Sequence, residues 1–177
     1  MRLFIAIELP KPFCAEVLRL QREVKRLSAG GRFVPEESFH ITLHFIGESE
    51  DLQGAVHAMQ EAVRGIRPFT LHLGKCDSFQ KDDSCTPYVD VLGELGELQA
   101  LYESLQSALY DQGFSRENRR FTPHITLGRS VALPEGAAAL EGLRPNASMM
   151  VQQIVLFESA RQNGRVLYIA VHRERFA

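Results

Sequence analysis

The chain has 177 residues, 45% of them hydrophobic, which is enough apolar material to fill one globular core and excludes disorder as the starting point. Its 20 basic and 22 acidic residues leave a formal charge of -2, which argues against a protein that coats long nucleic acid by neutralising phosphates but leaves room for a small anionic end or fragment. The three cysteines, Cys14, Cys76 and Cys85, fit neither a disulfide framework nor a zinc knuckle, and no apolar run approaches the roughly 20 residues of a membrane span. A cytoplasmic, soluble and monomeric protein with reduced thiols is the expectation.

Taken in chain order, the run Arg2-Leu3-Phe4-Ile5-Ala6-Ile7-Glu8 stops too early for a signal peptide and reads as a first strand over 2–8. Residues 12–28 space Phe13, Val17, Leu20, Val24 and Leu27 at intervals of three and four, an amphipathic helix opened by Pro12 and closed before Gly30-Gly31. A strand over 39–46 follows, then a helix over 51–66 built on Leu52, Val56, Met59, Val63 and Ile66. Strands are expected over 69–76 and 87–92, and Leu98, Leu101, Tyr102, Leu105 and Leu109 place a third helix over 94–112, with Gly113 at its C-terminal cap. Three further β-rich segments cover 123–130, 151–158 and 165–172. The order lacks a strict βαβ rhythm and no linker divides the chain. The expected fold is therefore α+β, antiparallel sheets with helices on the outer faces, in one domain over 1–177.

One internal repeat carries chemistry. His40-Ile41-Thr42-Leu43, after Phe39, recurs as His124-Ile125-Thr126-Leu127, after Phe121-Thr122-Pro123. The β-branched residues favour strands, and on a strand residues two apart share a face, so His40 with Thr42, and His124 with Thr126, project together. Two such strands across a groove present two imidazoles and two hydroxyls to one anion. In-line attack on a phosphodiester asks for that set: one neutral imidazole takes a proton from the attacking oxygen, one protonated imidazole gives a proton to the leaving oxygen, and the hydroxyls bind the non-bridging oxygens. The copies are too alike for the residues to say which histidine does which.

On a regular strand His44 shares the face of His40 and Thr42, whereas Arg129, at odd spacing from His124, faces away unless the strand bulges or ends. Arg116, Arg119 and Arg120 precede the second motif and form either an electropositive approach to it or a solvated loop. Phe121 and Phe39 either stack on a base or pack in the core. His40 and His44 are four apart, as in helical zinc motifs, but Ile41-Thr42 favours a strand and the glutamate of such a motif is missing, so no metal site is expected. Gly93-Glu94-Leu95-Gly96 lacks the spacing of a nucleotide fingerprint, and no cofactor is expected.

The chain resembles the 2H phosphoesterases, in particular the bacterial RNA 2',3'-cyclic phosphodiesterase (2'-5' RNA ligase) family. The resemblance rests on Arg2-Leu3-Phe4-Ile5-Ala6-Ile7, on 39–47 and 121–129 around the two motifs, and on Phe157-Glu158-Ser159 with Tyr168. It implies two pseudo-symmetric lobes of antiparallel sheet with the active-site cleft between them. It also implies hydrolysis of RNA 2',3'-cyclic phosphate ends to 2'-phosphomonoesters, with His40 as proton donor and His124 as proton acceptor. His44 and Arg129 stand where the family carries basic residues and would contact the substrate, with Arg120 and Phe121 as further candidates from their place before the second motif, and a reversible 2'-5' ligation would need no nucleotide cofactor. A module that binds RNA ends without chemistry is the alternative.

Overall fold

The structure is a computed structural model and describes residues 1–176. Along these residues the elements are β1 (Arg2–Glu8), α1 (Lys11–Leu27), β2 (Gly30–Phe33), β3 (His40–Glu48), α2 (Leu52–Ala62), β4 (Phe69–Lys81), β5 (Ser84–Gly93), α3 (Leu95–Asp111), β6 (His124–Thr126), β7 (Gly128–Ala132), β8 (Ser148–Val151), β9 (Gln153–Gln162) and β10 (Arg165–Arg175). They build two antiparallel sheets. The first has the order β10-β9-β1-β3, and the second β2-β7-β5-β4-β8 with β6 paired to β5. This is the α+β architecture expected from the sequence, two lobes of antiparallel sheet with helices packed on them.

β1 lies between β3 and β9, so both of its edges are paired, and a hydrophobic cluster covers each of its faces, which explains its unbroken apolar run. Leu3, Ile5 and Ile7 face a main core that also takes in Leu71, Val89 and Ile125 of the second sheet. Phe4 and Ala6, on the other face, join Val155 and Phe157 of β9 in a smaller cluster. Phe13, Val17, Leu20 and Val24 of α1 are buried as the periodicity requires, while Leu27 at its last turn is exposed, and Gln21, only 4% exposed, donates from Nε2 to the carbonyls of Val34 (2.6 Å) and Leu127 (2.9 Å). α2 packs against α3, where Ser104 Oγ donates to the Ala62 carbonyl at 2.9 Å. No helix among the described residues is long and apolar enough to cross a membrane.

Several boundaries differ from the sequence pattern, each for a local reason. α2 ends at Ala62 rather than 66, because the chain turns through Gly65 at φ 74°. β4 and β5 run on past 76 and start before 87, meeting in a hairpin at Asp82-Asp83 with Asp82 at φ 52°. β2 and β8 are short strands that the pattern does not anticipate. The segment 123–130 is two strands, not one. At Leu127 the N–H donates to the Pro87 carbonyl of β5 (2.8 Å), while its own carbonyl accepts from Val34 N–H (2.9 Å), so the chain, still beside β5, gains a second neighbour in β2. Gly128 makes this approach possible, since a Cβ there would lie 2.9 Å from the Arg32 carbonyl oxygen of β2.

A candidate active site between the two sheets

β3 is an edge strand of the first sheet, and β6 adds to the second; the two motif strands meet where the sheets meet. A cleft of about 540 Å³ opens there, and its walls include His40, Thr42, His124 and Thr126. Each imidazole is tied in the same way to the carbonyl two residues back: His40 Nδ1 lies 2.7 Å from the Ser38 oxygen, and His124 Nδ1 lies 2.6 Å from the Thr122 oxygen. A carbonyl oxygen can only accept, so Nδ1 carries the proton in both rings and Nε2 is left to exchange protons. His40 Nε2 is 2.9 Å from Thr42 Oγ1, whose hydroxyl donates to the neutral ring.

Aromatic rings wall both histidines. Phe4 (5.1 Å) and Tyr168 (5.3 Å, near perpendicular) flank His40, whereas Phe79 (5.3 Å) and Tyr88 (5.5 Å), stacked on each other at 4.3 Å, flank His124. Burial holds the His40 pKa below its ordinary value, the Ser38 carbonyl opposes this, and the charges of Arg129 and His124 lower it further. An anion in the cleft acts in the opposite sense and favours the protonated ring.

His44 does not share the face of His40. Ile5 pairs with His44 but Ala6 pairs with Thr42, so Leu43 is an extra residue and the strand bulges. Past the bulge His44 turns inward, 4% exposed, and borders the cleft only from its buried side, while Phe45 takes the open face beside Thr42 at 46% exposed. Gln106 of α3 meets the buried ring: its Oε1 accepts from Glu117 N–H (3.0 Å), so its Nε2 donates to His44 Nδ1 (2.6 Å). Burial lowers the His44 pKa, with Glu117 opposing, and the donor at Nδ1 suits the neutral ring. Since His40 and His44 point to opposite sides of β3, they cannot form the shared face that a His-x3-His zinc site needs. Among the described residues, no three His, Cys, Asp or Glu side chains converge as metal ligands.

Arg129 does reach the cleft, because the strand ends at Leu127 and β7 restarts on β2. Arg119 and Arg120 line the cleft as well, while Arg116 lies further out with its guanidinium 4.6 Å from the Tyr110 ring. Phe121 borders the cleft, half-buried and stacked on Tyr102 at 4.2 Å; Phe39 is a core residue, 5% exposed.

With this geometry in hand, known proteins are informative. Residues 9–163 match the family model described as the 2'-5' RNA ligase superfamily. The chain belongs to that superfamily. An RNA 2',3'-cyclic phosphodiesterase of Thermotoga maritima is 32% identical over 139 residues, 76% of this chain and 73% of that protein. The crystal structure of E. coli LigT complexed with 3'-AMP superposes with a TM-score of 0.76 at 26% identity, covering 99% of this chain and 97% of that one. The structure of TT0787 of Thermus thermophilus, at 23% identity and a TM-score of 0.79 over 99% and 98% of the two chains, shares the fold.

Within this member of the 2'-5' RNA ligase superfamily, the motif spacing alone does not reveal Gln106, Tyr168, Phe79, Tyr88 or Phe45 as neighbours of the cleft. Tyr168 is among the residues that carry the family resemblance, which is the one signal that could have marked it. Gln106 shows a fainter one: it sits beside Leu105 on the buried side of α3, where a polar residue needs a partner.

Proposed function

We propose that the protein, as one two-lobed domain over 1–177, hydrolyses 2',3'-cyclic phosphate ends of RNA to 2'-phosphomonoesters, using His40 and His124 and no metal ion. The observation that carries this reading is the paired anchoring of the two rings: each gives Nδ1–H to a main-chain carbonyl, and both line one cleft, with His40 Nε2 held on the Thr42 hydroxyl. The names of the relatives, RNA 2',3'-cyclic phosphodiesterases, supply the substrate class.

His124 Nε2 takes a proton from water as its oxygen bonds to phosphorus. The bond from phosphorus to O3' breaks on the opposite side, and His40 Nε2–H gives its proton to O3', leaving the phosphate on O2'. Each transfer contributes about 100- to 10,000-fold in rate. Thr42 and Thr126 donate to the non-bridging oxygens, and Arg129 and Arg120 balance the charge that grows there. Phe121, stacked on Tyr102, offers an edge to a base, while His44 acts from beneath the strand by holding its register. With a 5'-hydroxyl in place of water, the same proton transfers form a 2'-5' linkage without a nucleotide cofactor. That the E. coli LigT structure is a complex with 3'-AMP supports a nucleotide as a ligand of this chain.

Incubation with an oligonucleotide ending in a 2',3'-cyclic phosphate, in the presence of EDTA, tests the proposal. The expected product is the 2'-phosphomonoester at an undiminished rate. A 3'-phosphomonoester, or activity abolished by the chelator, overturns it.

A further inference from the structure

A second cavity, about 1040 Å³, continues from the cleft along α3, bounded on its other side by the segment 116–123. The two cavities share Tyr102, Glu117, Arg119, Arg120, Phe121 and Thr122 in their walls, so they adjoin. Resting on the phosphodiesterase reading above, we propose that this groove holds the nucleotides leading to the reactive end as single-stranded RNA, which makes a polynucleotide a better substrate than a cyclic mononucleotide.

Space is the first argument. The catalytic cleft, at about 540 Å³, lies within the ordinary range for a small ligand and suits one nucleotide, and the rest of a strand must leave by an open side. Charge is the second. Arg116, Arg119 and Arg120 lie along one short segment in a chain whose net charge is -2. The arginine ion pairs among the described residues are those of Arg19, Arg26, Arg64 and Arg173, all outside the groove, so the three groove arginines are available to phosphates. Two carboxylates also line the groove, and both are engaged: Glu117 Oε1 accepts from the N–H groups of Asn118 (3.0 Å) and Arg119 (3.2 Å), and Glu103 accepts from Gln99 Nε2 (3.2 Å). Stacking is the third. Phe121, half-buried with the buried Tyr102 ring parallel beneath it within 4°, leaves its remaining edge to a base where cleft and groove join, and an aromatic ring beside cationic side chains binds single strands with little regard to sequence.

The test compares a 2',3'-cyclic mononucleotide with a short oligonucleotide ending in the same cyclic phosphate, in the parent protein and in Arg116→Ala and Ser107→Glu. Both positions are exposed and lie in the groove outside the catalytic cleft, so the fold tolerates the changes. The parent should show a lower KM for the oligonucleotide. Arg116→Ala should raise that KM about fivefold and reduce the slope of log affinity against log salt by about 0.7, the value of one single-strand phosphate contact, while leaving the mononucleotide unaffected. Ser107→Glu should raise the oligonucleotide KM by repulsion. Equal KM values for the two substrates in the parent, or an unchanged oligonucleotide KM and salt slope in Arg116→Ala, overturn the groove proposal and leave the catalytic reading standing. Failure of the parent to hydrolyse either substrate defeats both.

Discussion

Both histidines hand Nδ1–H to the carbonyl two residues back, at 2.7 Å for His40 and 2.6 Å for His124, yet only the first has its threonine hydroxyl within hydrogen-bond reach of Nε2 among the described residues. His40 sits against Phe4 and Tyr168 with its pKa pulled down, chiefly by burial. His124 lies by Phe79, 42% exposed, at the wetter rim. One backbone device has thus been used twice in two environments. The lesson is that the motif orients the ring, while the residues around it divide the labour. An imidazole whose pKa is held down by its surroundings gives up a proton more readily, which suits the acid. An imidazole at the rim, where water enters, suits the base.

The strongest way to break this division is to remove each ring. His40→Ala and His124→Ala should each lower turnover about 100- to 10,000-fold with the fold retained, as judged by circular dichroism and a thermal melt. If the roles are distinct, a substrate whose leaving oxygen is already activated should restore the His40 variant and not the His124 variant. Near-normal activity in either variant sinks the paired mechanism. Next in size are the threonines. Thr42→Val removes both a donor to phosphate and the hydroxyl 2.9 Å from His40 Nε2, so it should cost about 100-fold in turnover, and Thr126→Val less. Equal losses would make the two environments equivalent in function.

How far the sequence reaches is clear from the same pair of strands. Identity of His40-Ile41-Thr42-Leu43 with His124-Ile125-Thr126-Leu127, together with period-two alternation, is enough to bring four side chains to one cleft. Alternation fails beyond Thr42 because one extra residue in β3 is a matter of register against Ile5 and Ala6, some forty residues earlier, and nothing in the composition of 40–46 encodes it. Hence His44 goes inward and Phe45 outward. Arg129 shows the opposite case. The break at Leu127 returns an odd-spaced side chain to the cleft, and its signal, Gly128, has meaning only once the approach of Arg32 is known. The helices are legible because a 3.6-residue stripe against a core is local information, whereas Gln106 acquires its partners from β3 and the segment after α3 only when those pieces meet.

The subtlest difference between the two histidines is electrostatic, and pH resolves it. In the free protein burial leads in holding the His40 pKa below its ordinary 6.5, and the positive charge of Arg129 adds to it. An acid must be protonated to act, so kcat/KM, which reports the free enzyme, should fall with rising pH from below that value. Once the anionic substrate is bound, its charge opposes both effects, so the descending limb of kcat should lie at higher pH than that of kcat/KM. Arg129→Gln removes one lowering charge and should move the kcat/KM limb upward, toward the kcat limb, while weakening substrate binding. Coincident limbs in the parent, or a downward shift in Arg129→Gln, would show that His40 does not enter the reaction as the acid, and the assignment of the two rings would then have to be exchanged.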